Sequence, residues 1–395
     1  MRLAIVLADA DRTTVTTVTG EGSVPELVIP AARLSVSLAA GGHDVTVYIP
    51  GVGDNNDVIE AQGYRVVSLP AGPADSESGL GEFTAQLTRA WQRDRPDVAH
   101  APSWLSGMVA QSAARLQQIP VVQTFDSLAV APSGARSVSD KAVAERARLE
   151  PLLARRAQWV AANNTEEMFE LLRKGCVRSR ISVVPCGVDL EVFTPPGPVA
   201  ERMMAPARIV SIASATGRYD VVMAVRVLAA LADAELVFAV DAAAGPAVAA
   251  EAKAVQKAAR AAGVGDRVRV VQVSSPGEVA ELLRSADISA CVAATEPSGA
   301  AALMAMGCGV PVVATTVGAL ADVVVDDVTG RLVPAGDIAA FVDAARRLLH
   351  EPFAARGMGA AGRDRARSRY SWDRVAADAA RAYAGALGTM GVVSA

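Results

Sequence analysis

Short runs rich in valine and isoleucine alternate with helix-forming stretches along almost the whole chain, and Pro195-Pro196-Gly197-Pro198 interrupts the alternation. Successive strands joined through helices can share a sheet only in parallel, with helices on both of its faces. The first block reads as strands at Leu3–Ala8, Val45–Ile49, Tyr64–Leu69, Val98–His100, Val121–Phe125, Trp159–Ala162 and Ile181–Val184. Helices fall between them at about Glu26–Ala40, Gly81–Asp94, Ser103–Leu116, Val138–Arg155 and Thr165–Lys174, the last with Asn164 and Glu167 as a capping box. A second block carries strands at Ile209–Ala213, Glu235–Val240, Val268–Val273, Ile288–Val292 and Val310–Ala314. Its helices read at about Tyr219–Leu231, Pro246–Ala262, Pro276–Ser285 and Ile338–Leu349. Two α/β domains joined by a proline-rich linker follow from this pattern.

At 395 residues and 51% hydrophobic, the chain can bury a core in each domain and is not a disordered polymer. No apolar run reaches the ~18 residues of a membrane span. The opening Met1-Arg-Leu-Ala-Ile-Val-Leu-Ala-Asp9 reads as a first strand and not as a signal peptide. A net charge of −4 gives no general attraction to nucleic acid. Cys176, Cys186, Cys291 and Cys308 show neither metal-ligand spacing nor a disulfide framework, which suits a reducing cytoplasm.

The stretch Glu296-Pro-Ser-Gly-Ala-Ala-Ala-Leu-Met-Ala-Met-Gly-Cys-Gly-Val-Pro-Val-Val-Ala314 concentrates the chemistry. It predicts a loop, a helix over about Ser298–Met306, and a buried strand. Gly299 lets backbone approach a ligand, and the free N–H groups of a helix N-terminus attract anions. With Glu296 at its mouth, this is an expected phosphate or sugar-hydroxyl site.

That stretch, followed by Val317-Gly-Ala-Leu-Ala-Asp-Val-Val-Val-Asp-Asp-Val-Thr-Gly-Arg-Leu-Val-Pro-Ala-Gly-Asp337 and preceded by Pro185-Cys-Gly-Val-Asp189, resembles the family-4 glycosyltransferases. The resemblance implies the GT-B architecture: two Rossmann-like domains facing a cleft, with a C-terminal helix crossing back. It divides the chain into an acceptor-side domain over 1–197, a nucleotide-sugar-side domain over 206–370, and a helix over 371–387 packed on the first domain. Trp372 is expected to fix that crossing. The implied activity is metal-independent and retaining. It moves a hexose from a nucleotide-diphosphate sugar to a hydroxyl acceptor, with no further cofactor.

The family's site residues carry over unevenly. Glu296 matches the first carboxylate of the family's Glu-x7-Glu pair, but Met304 stands at the second. A thioether cannot accept the two hydroxyl hydrogen bonds given to that carboxylate. Ala213, Ser214 and Tyr219 stand where glycine, arginine and lysine are expected, and no lysine lies between Lys174 and Lys253. Asp241 follows a strand where the family has glycines, and no histidine lies between His100 and His350.

The donor-side candidates are therefore Glu296, Ser298, Gly299, Arg218, Gly20 and Gly22; the catalytic candidates are Asp126 and His100. Each has a plain reading beside the functional one. Glu296 can be a loop acid at a helix N-terminus, Arg218 a solvated helix-start residue, and Gly20 and Gly22 an ordinary turn. Asp126 can be a cap or loop acid, and His100 a buried, satisfied ring. Two functions stay open: a transferase with a degenerate site, weak or inactive, or a non-catalytic relative acting as a binding or regulatory partner of another protein. An epimerase on the same architecture would want more acidic and histidine residues than these.

Overall fold

The computed structural model describes the chain apart from residues 10–29, 52–56, 73–76, 130–137, 203–206, 214–216, 243–245 and 394–395. Contacts divide it into two compact units. One gathers the described residues up to Pro185 with those from Val375 onward, and the other gathers Cys186–Arg374.

The first unit is built on β1 (Arg2–Val6), β2 (Asp44–Gly51), β3 (Asp57–Ala61), β4 (Tyr64–Pro70), β5 (Val98–Ala101), β6 (Val121–Gln123), β7 (Trp159–Ala162) and β8 (Ile181–Val183). Their order is β3-β4-β2-β1-β5-β6-β7-β8. All neighbours run parallel except β3, which lies antiparallel along β4. Sequence reading did not assign β3. It is half of a hairpin whose turn residues, Gln62 and Gly63, both have positive φ. Glutamine is a rare occupant of such a turn, so the usual hairpin signal is absent. Trp91, Leu87 and Phe83, one turn apart on the helix Glu77–Arg93, are fully buried against the sheet.

The second unit holds β9 (Ala207–Ile212), β10 (Arg218–Tyr219), β11 (Ala234–Asp241), β12 (Val268–Val273), β13 (Ile288–Cys291), β14 (Ala293–Thr295), β15 (Val312–Thr315) and β16 (Gly330–Val333). Six form a parallel sheet in the order β12-β11-β9-β13-β15-β16, while β10 and β14 pair separately. Counted within the six, this order is 3-2-1-4-5-6, the Rossmann arrangement.

The helix Pro352–Arg369 was also not legible from the sequence. It contains Gly357, Gly359 and Gly362, which lower helix propensity. The structure explains Gly359 by close approach: a Cβ there would stand 2.0 Å from the carbonyl oxygen of Gly309. Helix-to-helix contact, not propensity, sets this element.

The stretch after Pro185 lies with the second unit because Arg284 binds it. Its guanidinium donates to the carbonyls of Thr194 (2.8 Å), Pro198 (2.9 Å) and Val192 (3.0 Å). A buried Arg208–Glu235 ion pair at 2.5 Å braces the opposite end of the sheet, at the starts of β9 and β11. In the last helix, Trp372–Val393, the chain passes from one unit to the other. The Trp372 indole packs on Gly187 within the second unit. Gly385 packs on Trp159 within the first, each glycine too close to its ring to admit a Cβ.

Candidate functional site

In open parallel sheets, ligands bind beyond the carboxyl ends of the strands where the strand order reverses. In the second unit that point lies between β9 and β13. The chain leaving β9 returns as β10, the chain leaving β13 continues as β14, and the two pair antiparallel with Arg218 opposite Thr295. Arg218, an exposed cation, is thereby placed one residue from Glu296 across the ladder. Of the sequence candidates, Arg218, Glu296, Ser298 and Gly299 come together here.

Glu296 is 6% exposed. Its Oε1 accepts hydrogen bonds from Ser298 N (3.1 Å), Ser298 Oγ (2.9 Å) and Gly299 N (3.0 Å). These donors sit at the start of the helix Ala300–Gly307, whose N-cap Gly299 has φ +70°. A carboxylate at a helix N-terminus is stabilised by the macrodipole. This corrects one expectation from sequence: the Ser298 and Gly299 amides serve the chain's own carboxylate and are not free donors for a phosphate. The edge presents Glu296 with its acceptor oxygens, a group suited to sugar hydroxyls.

The turn after β15 holds Glu296 from the far side. Ala319 N donates to the Glu296 carbonyl at 2.8 Å, and Gly318 packs against the same oxygen. Two thiols, half-buried Cys186 and buried Cys291, feel its charge: crowding by protein first, and the Glu296 carboxylate second, push both up to about 12. Thr315, which sequence reading missed, ties this corner together. Its Oγ accepts from Ala293 N (3.1 Å) and donates toward the carbonyls of Ala293 (2.8 Å) and Cys291 (3.3 Å). The available signal was a lone hydroxyl ending the apolar strand Val312–Thr315.

Met304 is buried in the core cluster with Leu303 and Met306, so a hydrophobic side chain fills the position of the second carboxylate. Tyr219 belongs to β10 and not to the helix that sequence predicted there. That helix spans Val221–Ala230 and is capped by Asp220, whose Oδ1 accepts from Met223 N at 3.0 Å. Tyr219 donates its amide to Glu251 Oε1 (3.3 Å) and its hydroxyl to Ser211 Oγ (3.2 Å), and its ring stacks on Phe238 at 4.7 Å. Burial raises Glu251, opposed by the Tyr219 amide and by Arg218.

The first unit has its own reversal, between β1 and β5. Ala8 N donates to Ser106 Oγ at 3.0 Å, and Ser103 Oγ donates to Ser106 Oγ at 2.9 Å. Ser106 Oγ donates in turn to Asp9 Oδ1 at 3.4 Å. Asp126 follows β6 at the same edge and solvent reaches it. Crowding by surrounding protein first, then the charge of Asp9, push its carboxyl up to about 7; Arg146 opposes and Glu150 adds.

His100 is 8% exposed on β5. Its Nε2 lies 3.0 Å from Thr124 Oγ and its Nδ1 2.9 Å from the Tyr383 hydroxyl, so both ring nitrogens have partners inside this unit. Burial holds it neutral, with the pKa lowered to about 4. That geometry matches the satisfied-ring alternative. Gly20 and Gly22 lie outside the described residues.

Glu167, on the helix Thr165–Arg173, was read only as a cap. Asn164 does accept from Glu167 N at 2.8 Å. The Glu167 carboxyl turns back to Asn163, accepting from its N (3.1 Å) and Nδ2 (2.9 Å). Burial raises it to about 8, with the Asn163 bonds opposing and the charges of Glu150 and Asp126 adding. Among the described residues no group of three acidic, histidine or cysteine side chains could hold a metal ion. Among them, too, no helix is long and apolar enough to cross a membrane.

Comparison with known proteins agrees with this fold. Residues 28–187 match the model of a glycosyl transferase 4-like domain, and residues 204–365 that of glycosyl transferases group 1. A D-inositol 3-phosphate glycosyltransferase of Xylanimonas cellulosilytica is 32% identical over 391 residues, covering 92% of this chain and 93% of its own. A protein of the same name from Geodermatophilus obscurus is 32% identical over 404 residues, covering 95% and 88%. Among solved structures, sucrose-phosphate synthase from Thermosynechococcus elongatus superposes with a TM-score of 0.78 at 25% identity, covering 97% of this chain and 98% of its own. Anabaena HepE, solved in complex with UDP and glucose, superposes with a TM-score of 0.69 at 15% identity, covering 96% and 98%.

Proposed function

Because the chain belongs to the family-4 glycosyltransferases, with the GT-B fold, we propose that it transfers a hexose from a nucleotide-diphosphate sugar to a hydroxyl acceptor, with retention and slowly. The observation that carries this reading is the β10–β14 ladder, which pairs Arg218 with Thr295 and so brings its backbone next to the start of the Glu296 loop at the strand-order reversal. Glu296 would accept hydrogen bonds from the hexose hydroxyls, and Arg218 would face the diphosphate. Ser298 and Gly299 hold Glu296 in place. Asp126, raised toward neutrality, would stand by the acceptor hydroxyl, with His100 as a neutral support beneath that edge. Transfer of this kind relies on positioning and on stabilising charge, so a reduced set of residues can still support it.

The rate is expected to be low. Charge-assisted hydrogen bonds contribute roughly 1.5–3 kcal/mol each. Loss of one or both of the second carboxylate and the lysine would then weaken donor binding by about ten- to ten-thousand-fold. The four free thiols fit a reducing, cytoplasmic compartment.

One observation favours a second reading. Met304 is not merely uncharged but packed into the core. A chain that gave up this carboxylate could serve as a binding or regulatory partner of an active enzyme. Calorimetric titration with UDP-, GDP- and ADP-sugars, followed by a product assay, decides. Micromolar to millimolar binding that weakens in Glu296→Ala supports the transferase. No heat with any nucleotide sugar, with the protein folded, supports the partner.

A further inference from the structure

We propose that Arg365, seconded by Tyr370, is a positioning residue for Glu296: it sets the place of the donor-side carboxylate through the chain and not by touching a ligand. The consequence for sugar binding rests on the transferase reading, in which Glu296 accepts hydrogen bonds from the hexose hydroxyls.

Glu296 is held at two points by the short helix Leu320–Val323 and the residue before it. Ala319 N donates to the Glu296 carbonyl at 2.8 Å. Val323 and Ala319 also press on Gly299, whose amide donates to Glu296 Oε1. A Cβ on Gly299 would stand 3.0 Å from Val323 Cγ2 and 3.3 Å from Ala319 Cβ. A shift of this helix therefore moves both the backbone of Glu296 and a donor to its carboxylate.

The helix is four residues long, far below the ~12–15 at which a helix begins to hold in water by itself. Its place has to come from neighbours. Its last carbonyls have no partners within the helix, and a basic side chain at a helix C-terminus is suited to them. Arg365 takes two of them, donating from Nε to the Val323 carbonyl (2.8 Å) and from Nη2 to the Asp322 carbonyl (2.7 Å). The Tyr370 hydroxyl donates to the same Asp322 carbonyl at 3.0 Å. The guanidinium also lies over the Tyr370 ring, 5.7 Å from its centre, so each side chain steadies the other.

The brace is itself anchored. Arg365 belongs to the helix Pro352–Arg369, which lies tightly on the helix that begins beside Glu296. A Cβ on Gly362 would stand 3.2 Å from Met306 Cγ, and one on Gly359 2.0 Å from the Gly309 carbonyl oxygen. Tyr370 is buried, and its carbonyl accepts from Val188 N at 2.8 Å. All of these groups belong to the second unit.

Amide hydrogen exchange on the full chain reads the brace with no ligand present. In Arg365→Gln the amides of Ser298, Gly299 and Ala319 should exchange at least about tenfold faster than in the parent, while those of β9 and β11 keep their rates. Tyr370→Phe keeps the ring and removes one hydroxyl, and should show the same pattern more weakly. Arg365→Lys should recover only part of the protection, because an ammonium does not span two carbonyls as the planar fork does. Unchanged rates at the three amides overturn the inference. So does an equal rise in β9 and β11, which marks general loosening. Calorimetry adds the functional half. UDP-glucose should bind Arg365→Gln about tenfold more weakly with the affinity for UDP unchanged, and the difference should vanish in a Glu296→Ala background. Undiminished UDP-glucose binding, or an equal loss of UDP binding, overturns the inference. If the parent binds neither, the transferase reading falls, and the exchange rates alone decide for or against the brace.

Discussion

The α-carbon of Gly318 packs against the backbone carbonyl of Glu296 so closely that a Cβ on residue 318 would stand 2.1 Å from that oxygen. Gly318 also has φ +49°, a conformation other residues enter with strain. Ala319 N, the next donor, holds the same carbonyl at 2.8 Å. The position of the candidate donor carboxylate is therefore set by the turn after β15 as much as by its own loop.

Gly318→Ala should push this turn off Glu296. The expected result is a loss of about 1–3 kcal/mol of stability together with weaker sugar-nucleotide binding. Gly336→Ala is the control, because it shares a positive φ of +80° but would meet nothing within 4 Å. It should show only the backbone strain of about 1 kcal/mol and unchanged binding. Urea titration and calorimetry on both variants check this. Equal effects of the two substitutions on binding would show that the close contact is irrelevant.

The sequence made the two parallel sheets legible because their strands are buried on both faces and read as continuous valine and isoleucine runs. β11, spanning Ala234–Asp241 and buried from Ala234 to Val240, is a clear case. Placing Glu296, Ser298 and Gly299 at one helix start was also legible, since a glycine before an alanine-rich helix is a local signal. The direction of the Ser298 and Gly299 amides was not. Whether they face outward or fold back on Glu296 depends on the Gly318–Ala319 turn, more than twenty residues away in sequence. β3 and the helix Pro352–Arg369 escaped for the same reason: each is settled by a neighbour distant in sequence, β4 across a hairpin or the helix end near Gly309.

His100 and Tyr383 tie the final helix to β5 with a 2.9 Å bond between groups 283 residues apart. Tyr383→Phe keeps the ring and leaves Nδ1 of a buried histidine without a partner, and should destabilise by about 1–3 kcal/mol. His100 adds a pH dependence whose sign is fixed. Burial lowers its folded pKa to about 4, below the ordinary histidine value of 6.5. In the window between these values the unfolded chain binds the proton and the folded chain does not, so stability falls as pH is lowered from about 6.5 to 4. His100→Gln should flatten that slope in urea titrations made across the window. An unchanged slope would assign it to other groups.

Arg284 holds the stretch Val192–Pro198 through three carbonyls, and Gly197, at φ +144°, lies against the guanidinium with no room for a Cβ. Arg284→Ala should release this stretch while leaving the sheet intact. Limited proteolysis should then cut between about residues 192 and 198 much faster than in the parent. The loss in overall stability should be about 1–3 kcal/mol, since carbonyls near the surface regain water. Arg284→Lys should recover little, because an ammonium cannot span three carbonyls as the planar fork does. Parent-like resistance to cleavage in Arg284→Ala would mean the stretch is held by its apolar contacts alone, Phe193 foremost.

Glu167 should impose the opposite pH dependence to His100. Its folded pKa is raised to about 8 from the ordinary glutamate value of 4.5, burial being the main cause and the Asn163 bonds the main opposition. Between these values the folded protein keeps a proton that the unfolded chain has released. The contribution of this group is thus complete below about pH 4.5 and is lost as pH rises through 8. Glu167→Gln removes the ionisation while keeping a carbonyl oxygen that can accept from Asn163. Its stability relative to the parent should therefore rise with pH, by on the order of 2–4 kcal/mol between pH 5 and pH 9. Denaturant titrations of the two proteins at both pH values measure the difference. If the gap does not widen toward pH 9, the Glu167 carboxyl is ionised at little expense in the folded protein. Its Oε1, which has no partner among the described residues, must then be reached by solvent.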